Sequence, residues 1–252
     1  IENSYNTGTV NGYHVGGVCG ENYGSNSTIT NSYNTGYVSG TFRVGGVCGS
    51  NNSGTIENSY NTGYVSGTKD IGGVCGYNNS SGIITNSYYN NSVYSGEAVG
   101  SNSGTLTEIS GKTSEQFASG EVAYLLGGIW GQEIGTDKLP VLNSENKVIY
   151  SILENETSSS ESYINSLGTV TAPIKEGYNF KGWYTYDESN DNHYTGNVIC
   201  SSREYNNSNV TADSKIVAVY TSLGTASITI NCDREYTING ISKSSSTTES
   251  YP

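Results

Sequence analysis

Through the first hundred residues, apolar and polar positions repeat at the period of a strand. Ile29, Asn31 and Tyr33 are separated by single residues, which puts their side chains on one face of an extended segment. Asn34, Thr35 and Gly36 then supply a corner, a short strand around Val38 ends at Gly40, and a third strand covers Val44 to Cys48 before the polar corner Ser50 to Gly54. Nothing in this stretch has helical spacing.

The pattern recurs. Four starts align at Ile1, Ile29, Ile56 and Ile84, spaced by 28, 27 and 28 residues. The first three continue into a Gly-Gly-Val-Cys-Gly block ending at Gly20, Gly49 and Gly76. A fixed period of roughly 20 to 50 residues marks a solenoid or array. The chain is therefore expected to be mainly all-β. Residues 1–108 should form a parallel β-solenoid with three short strands and three corners in each rung of 27 or 28 residues. Rungs stack about 4.8 Å apart, so equivalent residues form ladders.

Repeats of the form Asn-Ser-Tyr-Asn-Thr-Gly-x-Val-x-Gly followed by Val-Gly-Gly-Val-Cys-Gly resemble the GLUG-motif family, over about residues 1–105. The resemblance implies an array in a bacterial surface protein, an adhesin or the non-catalytic region of a surface protease. The fourth unit departs from the pattern. Tyr88-Tyr89-Asn90-Asn91 replaces Tyr-Asn-Thr-Gly, and Ala98-Val99-Gly100 is what remains of the glycine block. Degenerate terminal repeats are how a solenoid ends.

Composition shifts after Thr107. Thr113-Ser114-Glu115-Gln116 has the form of a capping box. Phe117, Val122, Leu125 and Leu126 follow it, Ser119-Gly120 can divide the helix in two, and Gly127-Gly128 stops it. With Trp130 and Leu139-Pro140-Val141-Leu142, residues 109–146 read as a cap over the open end of the solenoid core and a linker. Val148 to Leu153 is a candidate strand, and Glu154 to Ser162 a polar loop. Gly168 to Pro173, the Gly177-Tyr-Asn-Phe-Lys-Gly-Trp-Tyr184 block, Val210 to Asp213 and Val217 to Tyr220 together resemble the Listeria–Bacteroides repeat family. That resemblance implies a small β-grasp-like module over residues 147–222. Tyr178, Phe180, Trp183, Val217 and Val219 should form its aromatic core, with Trp183 at the centre. Residues 223–252 read as extra strands or the start of a further domain.

Composition sharpens this picture. Only 33% of residues are hydrophobic, but aromatics reach 11%, and disordered chains are short of aromatics. A net charge of −12 with 11 basic residues argues against nucleic acid, whose phosphates demand a basic stripe. No run of about 18 apolar residues exists to insert into a membrane. The chain reads as a piece of a larger polypeptide whose other domains and targeting signals lie elsewhere.

Candidate chemistry is sparse. Cys19, Cys48 and Cys75 are equivalent rung positions with neither the spacing nor the histidine of a zinc site, so they are read as a buried ladder. Cys200 and Cys232 are free to pair or not. His14 and His193 lie in no nucleophile motif, and the Gly-Gly pairs lack the Lys-Ser/Thr of a phosphate loop. Asp187 to Asp191 fails the pattern of a calcium loop at its sixth and twelfth positions and reads as a solvated acidic loop. No catalytic residue, metal or cofactor is expected. Tyr37 and Tyr64 are the candidate ligand-binding residues, because they sit at equivalent positions just past the Thr-Gly corner, where flat rings can take sugar faces. The expected function is a non-enzymatic stalk and adhesin of a bacterial cell surface or cell wall, with glycans or proteins of a host or neighbouring cell as partners. The alternative is a set of accessory domains of a surface hydrolase whose catalytic domain lies outside this chain.

Overall fold

The computed structural model describes residues 1–142, 148–154, 159–165, 169–206, 215–223, 226–230, 236–238, 241–243 and 247–251. Val210 to Asp213 and Cys232 lie outside the described residues. Two compact units form, one built mainly on Ile1–Ser151 and the other holding Val170–Tyr205 among its segments.

The first unit is a parallel β-solenoid. Tyr5, Tyr33, Tyr60 and Tyr88 pair in register across successive turns, as do Val10, Val38 and Val65, and as do Val15, Val44 and Ile71. Cys19, Cys48, Cys75 and Val99 form a further ladder. Each turn is divided more finely than three strands. The second turn holds five, Thr28–Thr30, Tyr33–Asn34, Val38–Gly40, Phe42–Gly45 and Cys48–Asn52. Two of the expected strands are broken, the first at Asn31, which adopts φ 49°, and the third between Gly45 and Cys48. Asn3, Asn58 and Asn86 repeat that left-handed turn. Asparagine tolerates this conformation better than most residues, so the motif's third position is a bend and not the middle of a strand.

Inside, Ile29, Ile56, Ile84, Val47, Val74, Cys48 and Cys75 are fully buried, and Val38, Val44 and Val65 form a second buried group beside them. Two rows of asparagine amides line the corners. Asn6 donates to Asn34 and Asn34 to Asn61 at 2.8 Å each. Asn22, Asn51, Asn78 and Asn102 continue the same way at 2.8, 2.8 and 2.9 Å. The Gly-Gly block explains itself against these rows. A Cβ on Gly45 would lie 1.9 Å from the Cys48 carbonyl oxygen, and one on Gly46 would lie 2.3 Å from the Asn61 amide carbon. Backbone and amide approach too closely for any side chain there.

The fourth turn is short. Tyr89 stands where earlier turns carry the amide of Asn34 and Asn61, and its ring fills the space beside Gly73. Tyr94 packs against both buried groups, and its hydroxyl donates to the Ile71 carbonyl at 3.0 Å. Thr105–Lys112 then lies parallel to Ile83–Asn90 and carries the ladder into one more pass.

The capping box closes on Thr113. Its hydroxyl accepts from the Gln116 amide, and the Gln116 side chain accepts from the Thr113 amide. Helices α1, Ser114–Ala118, and α2, Glu121–Leu126, are separated at Gly120, which has φ 93°. Phe117, Val122, Leu126 and Trp130 pack against Tyr60 and Tyr88, with Tyr33 at the margin, in a cluster separate from the interior rows. Tyr89 and Tyr94, from the fourth turn itself, fill the last part of the interior. The tyrosine ladder points outward and offers an apolar strip wide enough to bury a helical segment.

In the second unit, the antiparallel strands Tyr178–Tyr186, Tyr194–Cys200 and Ile216–Ser222 pair with Tyr178–Tyr186 in the middle. Trp183 is fully buried, with Phe180 at 6.1 Å and Tyr205 at 5.9 Å between ring centroids, and its indole nitrogen donates to the Arg203 carbonyl. A register shift between Phe180 and Gly182 lets two aromatic residues three apart share a core. The expected strand from Val148 is present as Val148–Glu154, but the stretch read as polar loop is strand again from Ser159. Ala226–Ile230 pairs antiparallel with Thr247–Tyr251, and Tyr236–Ile238 with Ile241–Lys243.

Candidate functional site

Tyr37 and Tyr64 each precede an inward valine, Val38 or Val65, that is buried and in register with its counterpart. Strand alternation therefore turns both tyrosines outward. Their rings lie 5.8 Å apart between centroids and 2° from parallel, with 42% and 50% of each residue exposed. The Tyr37 hydroxyl sits 2.8 Å from Ser66 Oγ, which ties one ring to the next turn. The result is a flat, double-ring surface on a backbone fixed by ladder hydrogen bonds.

The other tyrosine row serves packing. Tyr5, Tyr33 and Tyr60 stack at 5.1 and 5.0 Å, and Trp130 lies 5.8 Å from Tyr33 and 5.2 Å from Tyr60. Tyr60 donates its hydroxyl to the Pro140 carbonyl at 2.7 Å. Burial, reinforced by Tyr33, pushes the Tyr60 phenol well above its ordinary value, and burial with Glu108 and Glu121 pushes Tyr88 up to about 12.

A second surface group, in which Tyr13 and Lys69 are exposed and His14, Phe42, Arg43 and Asp70 partly buried, escaped the sequence reading. Tyr13-His14, Phe42-Arg43 and Lys69-Asp70 occupy the two positions just before the Val/Ile-Gly-Gly block of successive turns. Tyr13 and Phe42 rings lie 5.7 Å apart, and His14 stacks on Tyr13 at 4.9 Å. The Arg43 guanidinium carbon is 4.0 Å from the Tyr77 centroid and 5.1 Å from that of Phe42, and Lys69 Nζ is 5.2 Å from Phe42. Their identities change from turn to turn ahead of the Val/Ile-Gly-Gly block, so no repeated residue marks them in the sequence.

The thiols of the cysteine ladder are hydrogen-bonded locally. Each of Cys19, Cys48 and Cys75 points its thiol at the carbonyl two residues on, at 3.2, 3.3 and 3.2 Å. Its hydrogen bond with Cys48, burial and the Cys48 charge raise the Cys19 thiol. Cys48 feels Cys19 working the other way, but Cys75 and burial still hold it well above the usual thiol range. All three are free, as is Cys200.

Among the described residues, no group of three or more His, Cys, Asp or Glu side chains could hold a metal ion. The acidic loop is a hairpin connection in which Asp187 Oδ1 accepts from the Ser189 amide and hydroxyl at 3.0 and 2.6 Å. A cleft of about 500 Å³ in the first unit is lined by Thr62, Asn90, Ser114, Ala118, Lys138 and Leu139, among others. No family model, curated protein or solved structure matches this chain.

Proposed function

We propose that this chain is a non-catalytic segment of a large bacterial cell-surface or secreted protein, serving as a stalk and as an adhesion surface for glycans or proteins of a host or neighbouring cell. The observation that carries this reading is the Tyr37–Tyr64 pair, two parallel rings about half exposed on a rigid ladder. Exposed tyrosines are common at recognition surfaces, because they supply broad contact at a low cost in conformational entropy and keep a polar tip. A solenoid also holds such rings at fixed separation without a deep pocket. Fold alone does not choose a function, so the reading rests on these side chains.

Glycan and matrix-protein arrays probed with the wild-type chain and with Tyr37→Ala and Tyr64→Ala test it. Binding that falls in both variants is expected. Retention of every signal in the double variant removes the ladder as the adhesive surface.

A further inference from the structure

We infer that the face bearing Tyr13, Phe42, Arg43, Lys69 and Tyr77 is a binding site for an anionic saccharide, one whose carboxylated or sulfated sugars alternate with neutral ones. The inference deepens the adhesion reading by naming a ligand class, but it stands on a different ladder from Tyr37 and Tyr64.

Residues 1–108 contain Glu2, Glu21, Glu57, Asp70, Glu97 and Glu108 but only two basic side chains, Arg43 and Lys69. Both fall on this face, one turn apart, with Phe42 between them and Lys69 directly beside Phe42 in the register. Asp70 and Glu21 lie on neighbouring ladder positions, but neither pairs with these cations. Among the described residues, the ion pair joins Lys112 to Glu121. Both basic side chains of residues 1–108 therefore stand on the face that carries the exposed Tyr13 ring, and neither is ion-paired to a carboxylate among the described residues.

Hydrogen-bonding capacity points the same way. A guanidinium carries five donors. Among the described residues, Arg43 Nη1 donates to Ser50 Oγ at 3.3 Å, while Nε is enclosed without a partner. The Tyr77 and Phe42 rings hold the plane in place, and a held fork loses little freedom when it takes a carboxylate or sulfate. Arg43 also adopts φ 52°, and Asp70 follows with 54°. Non-glycine residues at positive φ are uncommon and mark places where the surrounding structure fixes a side chain's direction.

The aromatic component selects the rest of the ligand. Tyr13 is 64% exposed and lies beside Phe42, so a neutral sugar has a ring face to cover while its charged neighbour reaches Arg43 or Lys69. A single-stranded nucleic acid also stacks on rings, but it brings one phosphate per nucleotide and binds through a basic groove. Two cations in a chain of net charge −12 suit a sparsely charged polymer better.

The test is isothermal titration of the full chain at low and at physiological salt. Its probes are a hyaluronan hexasaccharide, whose alternate sugars carry carboxylates, a keratan sulfate hexasaccharide, whose alternate sugars carry sulfates and which has no carboxylate, a neutral cello-hexaose and a single-stranded oligonucleotide. Tighter binding of either anionic saccharide than of the neutral one is expected, with affinity falling as salt rises; which saccharide binds identifies the charged group. Arg43→Gln should weaken that binding about tenfold, the loss of one charge-assisted donor group. Lys69→Gln, at an exposed position that contributes little packing, provides the same readout should Arg43→Gln unfold. Arg43→Lys should restore only part of the affinity, which a purely electrostatic role would restore in full. Equal affinity of the Arg43→Gln, Lys69→Gln double variant, absence of any anionic-saccharide binding, or tighter binding of the oligonucleotide each overturns the inference. Array binding that survives the double variant but is lost in Tyr37→Ala, Tyr64→Ala would overturn it and leave the adhesion reading intact.

Discussion

The indole nitrogen of Trp130 donates to the backbone carbonyl of Asn58 at 3.1 Å, joining residues 72 positions apart. Asn58 is one of the left-handed asparagines, so the bend that breaks the strand also turns a carbonyl toward the docking segment. Trp130 is 1% exposed and touches the rings of Tyr33 and Tyr60. Trp130→Ala should destabilise the first unit by about 3–5 kcal/mol, as large-to-small core changes do. Trp130→Phe should cost less, since it keeps most of the packing and loses the hydrogen bond. Denaturant unfolding of both variants, followed by the tyrosine near-ultraviolet signal, checks the order.

Asn51 sits in the middle of its amide row. It accepts from Asn22, donates to Asn78 at 2.8 Å and donates to the Gly54 carbonyl at 2.9 Å. Asn51→Leu strands the buried Asn78 Oδ1, at about 1–3 kcal/mol, and takes one bond each from the Asn22 amide and the Gly54 carbonyl, which keep others to Ser27, Thr55 and Ile83. The expected loss is larger than that of Asn6→Leu at the partly exposed start of the other row. Thermal melts of the two variants compare them directly.

Gly46→Ala should be among the most damaging single-methyl additions. Its Cβ would meet the Gly73 carbonyl oxygen at 2.1 Å and the Asn61 amide at 2.3 Å, and neither backbone nor a hydrogen-bonded amide yields easily. A loss of about 3 kcal/mol or more is expected from such overpacking. Gly128→Ala is the control for added bulk, since nothing lies within 4 Å of its would-be Cβ, though its φ of 57° adds a backbone penalty. Urea midpoints should rank Gly46→Ala well below it.

Alkaline pH should unfold this unit. Cys48 and Tyr60 titrate well above their ordinary ranges in the folded state, and Tyr88 near 12, whereas unfolded values are about 8.5 for Cys and about 10 for Tyr. A raised folded value contributes its stability in full below the unfolded value and loses it as pH climbs from there toward the folded one. Stability should hold to about pH 8.5 and then fall, first through the thiol and then through the phenols. At neutral pH, Cys48 and Cys75 should resist a disulfide reagent until denaturant is added. Thiol titration with and without denaturant measures this, and rapid labelling of Cys48 in the native chain would contradict it.

Much of the architecture was readable because a repeat averages its own signal. Three copies of Val before Ser-Gly or Asn-Gly, and three copies of Gly-Gly-Val-Cys, fix which side chains point inward and where backbone must approach backbone. Tyr37 and Tyr64 could be placed outward for the same reason. The bend at Asn31 was missed because an alternating Ile-x-Asn-x-Tyr run reads as continuous strand, and only the left-handed φ reverses the tyrosine's side. That reversal hid the outward tyrosine strip, and with it the place where Trp130 docks. The Arg43 cluster was missed for the opposite reason. It is assembled from positions that differ in every turn, so the repeat offers no template for them, and their meeting depends on ladder register rather than on spacing along the chain.

The two asparagine rows have one more consequence. In each row, every amide nitrogen points toward the following turn and every amide oxygen toward the preceding one. Aligned hydrogen bonds of this kind polarise one another, so the small dipoles add along the axis instead of cancelling. The stack is in this sense electrically directional, and a turn inserted within a row would strengthen the bonds on either side of it.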